Sequence, residues 1–489
     1  MEYRATALRC AWQTPWLTGW PRCFNLTARP AHTNSTMPLL SHARRSKPNR
    51  RGWWLLWLML LLHALPPTGW SSLDGVPWVG QARADDGDDG GDDGDGGGAS
   101  DGGGASSAGS DAGTGGQDTD PGPREPELPV QADRFKADEL VALNPSPAAL
   151  QRAAQWGARV VETSVQAGLG LRVVRLQLPP GIDARTALAV ANERDPGVFD
   201  LHHLYQLAQA DAAACEGASC EPMRRLEWPG RSANCGRDQV IGMVDSGVDT
   251  GFPALQGADL RVRRFVSDTS AKGDATHGTA VATILVGQPG TPLPGLVPRA
   301  RLRAAEPFVR LPSGALAADA VGLVKSLEWL LAERVQVIGM SLTGPDNLVL
   351  AAAIQRIQSR GVLVAAAVGN AGRNAPPAHP AALDGVLGAT AISADGRIYW
   401  RASQGSTVDF ALPGVELPTP DGVGAVRLRS GTSYAVPFLV AQLSQSLFEG
   451  VLTRADWLGG RGVPVTDLGA TGRDPVFGWG LPKVPLRCG

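Results

Sequence analysis

Ser433 stands in Gly431-Thr432-Ser433-Tyr434-Ala435-Val436-Pro437, at the mouth of an apolar run (434–448) that reads as a helix. The first N–H groups of a helix lack intrahelical partners, and its dipole is positive there. A serine in that position can attack a carbonyl, and the same helix start can hold the oxyanion that forms. Pro437 is expected in the first turn, where a missing N–H does no harm. Three further residues complete a hydrolytic set. Asp245 follows the apolar run Val240-Ile241-Gly242-Met243-Val244, where a carboxylate can orient an imidazole. His277 opens His277-Gly278-Thr279-Ala280-Val281-Ala282 and can take the serine proton and return it to a leaving amine. Asn370 closes Ala366-Ala367-Val368-Gly369-Asn370, and its amide can donate to the oxyanion beside the Ser433 N–H.

Each of these residues has an ordinary reading alone: a turn aspartate, a capping histidine, a Gly-Asn turn. Their joint placement at strand tips and helix starts makes the chemical reading the better one. Only two histidines follow residue 237, and the other, His379, lies in Pro376-Pro377-Ala378-His379-Pro380, a loop expected to be solvated. His277 is therefore the one well-placed base in the C-terminal body.

The elements that must position these groups are legible from residue 238 onward. Strands are expected at 240–244, 301–305, 335–342, 362–367 and 386–391, and helices at 317–334 and 347–360, the latter stopped by Gly361. Strands alternating with helices imply an α/β domain (238–489) whose mostly parallel sheet carries helices on both faces. In such folds reactive groups gather beyond the carboxyl ends of the strands.

Upstream, residues 137–206 show the order β-α-β-β-α-β, with strands at 139–143, 159–165, 171–178 and 197–205 and helices at 147–156 and 184–194. This is a small α+β ferredoxin-like unit spanning 129–210. Residues 85–128 are Gly, Asp, Ser and Pro with almost nothing apolar, a composition that cannot offset ordering entropy, and read as a flexible acidic linker. Within residues 1–84, the apolar stretch 53–65 follows Arg44, Arg45, Lys47, Arg50 and Arg51, and Ala82-Arg83-Ala84 fits a small-x-small cleavage site. The stretch suits the core of an export signal. A membrane anchor through residues 53–65 is the alternative, and Met37 is read as the start.

The net charge of −2 and the absence of basic runs interleaved with aromatics after residue 60 argue against a nucleic-acid partner. On the exported side lie Cys215, Cys220, Cys235 and Cys488, which allow three pairings that the sequence does not choose between. The reading leans to a local Cys215–Cys220 loop within a connector (211–237), with Cys235–Cys488 tying the chain end to the body. No cofactor and no metal site are read.

Asp-Ser-Gly at Asp245, His-Gly-Thr at His277, Gly-Asn at Asn370 and Gly-Thr-Ser at Ser433, in that order over residues 238–450, resemble the subtilisin-type serine peptidases, the subtilases. The resemblance implies that Asp245 orients, His277 is general base and acid, Ser433 is the nucleophile and Asn370 the oxyanion donor. It implies protein or peptide substrates. It also implies that the β-α-β-β-α-β unit is a propeptide, which assists folding and inhibits until it is cut away. Met340-Ser341-Leu342-Thr343-Gly344 resembles the family's substrate-binding strand, which takes an extended peptide by β-addition. Thr343, where many members have Gly, and Val368 are expected to narrow the primary specificity pocket, or else simply to pack. Tyr434 stands where Met is usual, Phe438 where a polar residue is common, and Thr283 where Gly follows the His motif. None of these removes a catalytic atom. The function implied is a self-processing exported endopeptidase whose activity rises as His277 loses its proton. A catalytically silent scaffold that binds extended peptides is the rival reading. An esterase is weaker, because Ser433 lies in no Gly-x-Ser-x-Gly elbow.

Overall fold

A computed structural model describes residues 134–208, 212–214, 233–266, 274–421, 426–484 and 488. The apolar stretch 53–65, the cleavage motif 82–84, the linker 85–128 and the Cys215–Cys220 pair lie outside these residues. Among the described residues no helix is long and apolar enough to cross a membrane.

The N-terminal unit follows the expected order: β1 (Phe135–Leu143), α1 (Pro147–Gln155), β2 (Arg159–Gln166), β3 (Leu171–Gln177), α2 (Ala184–Arg194) and β4 (Phe199–Leu207). Both helices start where their caps dictate. The Ser146 side chain accepts the N–H of Ala149, with Pro147 next in line, and Asp183 accepts the N–H of Thr186. The strands lie side by side as β2-β3-β1-β4, with β1 antiparallel to both β3 and β4. Alanines of the two helices pack on Leu140, Val174, Leu176 and Leu201 to form a core separate from that of the C-terminal body. β4 runs two residues beyond the expected end at Tyr205, because its last residues find partners in that body. β5 (Ala212–Ala214) follows.

The body begins with β6 (Val240–Val244), β7 (Leu260–Arg264), α3 (Thr276–Val286), β8 (Arg301–Glu306), β9 (Phe308–Arg310) and β10 (Leu316–Asp319). It continues with α4 (Ala320–Ala332), β11 (Val337–Met340), β12 (Leu342–Thr343), α5 (Leu348–Ser359), β13 (Leu363–Ala367) and β14 (Val386–Ile392). β15 (Phe410–Pro413), β16 (Leu417–Pro420), β17 (Val426–Arg429) and α6 (Thr432–Phe448) complete the elements that build the site. The central sheet runs β15-β14-β13-β11-β6-β8-β7, and every pairing in it is parallel. One apolar core joins its first face to α3 and α6, and a second joins the other face to α4 and α5. The α/β class and the two covered faces are as expected.

Two of the boundaries that differ from the sequence reading bear on the site. Residues 317–319, expected as the first turn of a helix, close strand β10, and α4 starts after Asp319, whose carboxylate accepts the Gly322 N–H at 2.8 Å. An aspartate that can cap wins over the helical period of the apolar residues before it. Pro437 lies not in the first turn of α6 but inside it, because the helix begins at Thr432. α6 is buried from Thr432 to Ser446, which explains why it is apolar on all sides.

The favoured pairing Cys235–Cys488 is present, with Cα atoms 4.5 Å apart, and joins the entry of the body to its C-terminal end.

Candidate active site

β6, α3 and α6 bring Asp245, His277 and Ser433 together. The Asp245 Oδ1 lies 2.6 Å from His277 Nδ1, and His277 Nε2 lies 2.9 Å from Ser433 Oγ. All three side chains are buried. Asp245 Oδ1 also accepts the Ser246 N–H at 2.7 Å. With a carboxylate at Nδ1, the neutral imidazole carries its proton there and leaves Nε2 to accept from the serine hydroxyl.

The backbone around the imidazole explains the small residues. Ser246 Oγ accepts the Gly278 N–H at 3.0 Å and ties the start of α3 to the tip of β6. A Cβ on Gly278 would lie 2.6 Å from the Ser246 carbonyl oxygen, so any side chain would push the helix and its histidine away. The ring of Tyr434 packs against the imidazole, centroids 4.9 Å apart. Burial pushes the Tyr434 phenol well above its ordinary pKa, so this wall is neutral.

Asn370 is fixed by Thr432, a contact that the sequence reading missed. Asn370 Oδ1 accepts the Thr432 N–H at 3.1 Å and the Thr432 hydroxyl at 3.0 Å. The same hydroxyl accepts the Gly369 N–H at 3.2 Å. Gly369 sits at φ 109°, a conformation that L side chains rarely adopt. With Oδ1 engaged twice, Nδ2 is buried and has no hydrogen-bond partner. A buried donor left open is costly unless a ligand or an oxyanion uses it.

Ser341 also has a role that its motif did not reveal. In α6 the N–H of residue 437 would bond the Ser433 carbonyl, but Pro437 has none. The Ser341 hydroxyl takes that place and donates to the Ser433 carbonyl at 3.1 Å.

The segment 204–208 lies across this constellation. β4 inserts between two strands of the body, with Tyr205 opposite Ala318 on β10 and Gln206 and Leu207 opposite Thr343 and Leu342 on β12, all antiparallel. Ala208 donates its N–H to the Ser341 carbonyl at 3.3 Å and accepts the Ser433 N–H at 3.1 Å. Ser341, Leu342 and Thr343 thus carry this segment by their main chain, and Gly344 faces the Tyr205 ring. The methyl carbon of Thr343 is 3.6 Å from where a Cβ on Gly369 would sit. Val368 is fully buried in the core on the α4–α5 side, which fits the packing role.

His379 departs from expectation. It is half-buried rather than solvated, and its N–H and carbonyl pair with Gly344 at 3.1 and 2.9 Å. Its main chain thus bridges to the end of the 341–344 segment. Among the described residues no group of three or more His, Cys, Asp or Glu side chains is arranged to hold a metal ion.

A profile of the subtilase family matches residues 236–455. The subtilisin of Bacillus pumilus is 30% identical over 212 residues, 41% of this chain and 74% of that protein. The minor extracellular protease Epr of Bacillus subtilis is 28% identical over 249 residues, 50% of this chain and 38% of Epr. Subtilisin E of Bacillus subtilis is matched over 53% of its length, so the chain spans about half or less of several curated relatives. Among solved structures, fervidolysin of Fervidobacterium pennivorans superposes with a TM-score of 0.59 at 16% identity, covering 73% of this chain and 61% of that one, and shares the fold. The chain belongs to the subtilase family of serine peptidases.

Proposed function

We propose that this chain is an exported serine endopeptidase, made as a precursor that processes itself. Ser433 attacks the peptide carbonyl, His277 moves the proton, Asp245 holds the imidazole, and the Ser433 N–H and Asn370 Nδ2 receive the oxyanion. The observation that carries this reading is the line Asp245–His277–Ser433 at 2.6 and 2.9 Å, with a peptide carbonyl already on the Ser433 N–H.

Peptide bonds are the substrate because the edge beside Ser433 pairs with a main chain. Ser341, Leu342 and Thr343 pair with an extended strand, which is recognition by β-addition, and Gly344 leaves room for a side chain of that strand. The unit at 135–207 acts as the chain's own inhibitor: it fills that edge and is clasped from the body. Glu328 accepts the N–H groups of Gly168 and Leu169 at 2.8 and 2.9 Å, Lys325 pairs with Glu162, and Asp200 accepts the Leu348 N–H at 2.7 Å. The apolar stretch at 53–65 and the secreted relatives support export.

The test is to express the full chain beside Ser433→Ala and follow intact mass and casein hydrolysis with time. Loss of the N-terminal unit and casein cleavage in the parent alone are expected. If the parent stays whole and inert, even after an added protease removes the unit, the peptide-binding scaffold is the correct reading.

A further inference from the structure

When Ser433 Oγ bonds to a peptide carbonyl carbon, the π pair of the carbonyl moves to its oxygen and the hydroxyl proton moves to His277 Nε2. The imidazole then carries two N–H protons and a positive charge. Its side chain is only 1% exposed, so water cannot solvate that charge. Both ring nitrogens already have partners: Asp245 Oδ1 lies 2.6 Å from Nδ1 and Ser433 Oγ 2.9 Å from Nε2. Asp245 supplies the balancing negative charge at one edge, and its Oδ2 is buried without a hydrogen bond. What else can meet the charge lies against the body of the ring.

Tyr434 packs there. The centroids of the two rings are 4.9 Å apart and their planes are inclined by 43°, an oblique contact rather than an edge-on one. A cation within about 6 Å of an aromatic centroid is attracted by the negative face of the ring, more strongly where water is excluded. Tyr434 is fully buried. It is also held at both ends. Its backbone follows Ser433 in α6, so ring and nucleophile share one helical turn. Its hydroxyl end faces the Arg429 guanidinium of β17, with Tyr399 nearby. Asp274, just before α3, faces the same guanidinium and offsets its charge. Burial keeps the phenol protonated, so Tyr434 acts through its ring and not through a formal charge.

We propose that Tyr434 is a positioning residue for this reaction: its ring holds the His277 imidazole in place and stabilises the imidazolium that forms as Ser433 gives up its proton. The inference rests on the proposed peptidase activity. The sign follows from charge. The ring attracts the protonated imidazole and is nearly indifferent to the neutral one, so it favours the proton on His277. Asp245 acts in the same sense, and Arg429, behind the phenol, in the opposite one. Without the ring, His277 gives up its proton at lower pH. The transition state, in which the imidazolium develops, then lies higher.

The test compares the processed parent with Tyr434→Leu, which keeps bulk but has no π face, and Tyr434→Phe, which keeps the ring and loses the hydroxyl. The probe is the p-nitroanilide of Leu-Tyr-Gln-Leu-Ala, which copies residues 204–208. Active sites are counted with a serine-directed fluorophosphonate, so that a partly unfolded variant is not misread as a slow one. In Tyr434→Leu the acid limb of the kcat/KM profile is expected to move to lower pH by about 0.4 to 1.5, and kcat on the plateau to fall by up to about thirtyfold, the range for a desolvated cation over a ring. KM should change little, and Tyr434→Phe should recover most of both effects. A lower kcat in Tyr434→Leu with an unmoved acid limb means that the ring only fills space. That result, or a limb moved as far by Tyr434→Phe as by Tyr434→Leu, overturns this inference and leaves the peptidase reading standing. A parent that cuts neither itself nor casein overturns the peptidase reading, and this inference with it.

Discussion

The hydroxyl of Ser341 donates to the carbonyl of Ser433 at 3.1 Å, filling a place in α6 that Pro437 leaves empty. One residue therefore serves two partners. Its side chain holds the main chain of Ser433, and its own carbonyl accepts the N–H of Ala208. Strand residues 341–343 and Ser433 are locked to each other through it.

Ser341→Ala removes the donor and leaves a buried carbonyl unpaired, at a cost of about 1–3 kcal/mol. Thermal unfolding should show that loss. Because the Ser341 carbonyl remains, kcat should fall more than KM rises. Unchanged stability and unchanged kcat together would mean that the hydroxyl is incidental.

Asn370→Ala should lower kcat by about 10²–10³ with little change in KM, a magnitude borrowed from loss of the oxyanion-hole asparagine in a subtilisin. The reason is specific to the geometry here. Thr432 occupies Oδ1 and leaves Nδ2 buried and open, so the amide is aimed before substrate arrives. Thr432→Val, which keeps the shape but loses the hydroxyl, should give a smaller fall in kcat. Single-turnover cleavage of a peptide ester separates this loss from any change in binding. A kcat within about twofold of the parent in Asn370→Ala would remove the residue from the oxyanion site.

The four residues proposed for the site stand out in the sequence because each sits where local sequence announces an element boundary. Asp245 ends an apolar strand, His277 and Ser433 open small-residue helices, and Asn370 follows a glycine. The supporting contacts were not legible. Ser341 bonding to Ser433 spans 92 positions, and nothing in either motif encodes the meeting. Thr432 looked like part of the serine motif, yet its hydroxyl works on Asn370 and Gly369. Residues 317–319 of β10 read as helix because their alanines suit either state. What decides it is the neighbouring β4, with Ala318 opposite Tyr205, a partner more than a hundred residues away in sequence. His379 was misread for a related reason: a proline-rich loop is usually solvated, but this one pairs with Gly344.

Tyr434→Met should leave the chain folded and active but sensitive to peroxide, whereas the parent should keep its activity. A thioether beside His277 and Ser433 oxidises to a polar sulfoxide, and a phenol ring does not follow that route. Met243 and Met340, on β6 and β11 of the central sheet, are buried and shielded in both proteins. The measurement is residual activity against time in dilute peroxide, with mass analysis to place the added oxygen. Equal decay in both proteins would show that residue 434 does not set oxidant sensitivity.

Docking of the 135–207 unit should weaken as pH rises above neutral. His202 is wholly buried at the junction with the body. Its Nδ1 lies 2.6 Å from Glu139, and its Nε2 is 3.5 Å from Asp319, the residue capping α4. Lys136 also faces this cluster, 2.8 Å from Asp319, and Arg175 pairs with Glu139 at 2.9 Å. Burial alone would depress the imidazole pKa, but Asp319 and Glu139 outweigh it and hold the group above its ordinary value. A raised pKa means that the folded form favours the proton, so this stabilisation is complete below about pH 6.5 and is lost as pH climbs through the raised value. The carboxylates act at the other end. Burial would raise both Glu139 and Asp319, yet the positive partners hold them below their ordinary range, so their contribution is lost only in acid. In full-length Ser433→Ala, susceptibility of the unit to an added protease should therefore rise between neutral and alkaline pH. His202→Gln should flatten that dependence. An unchanged slope in the variant would assign the pH response to another group.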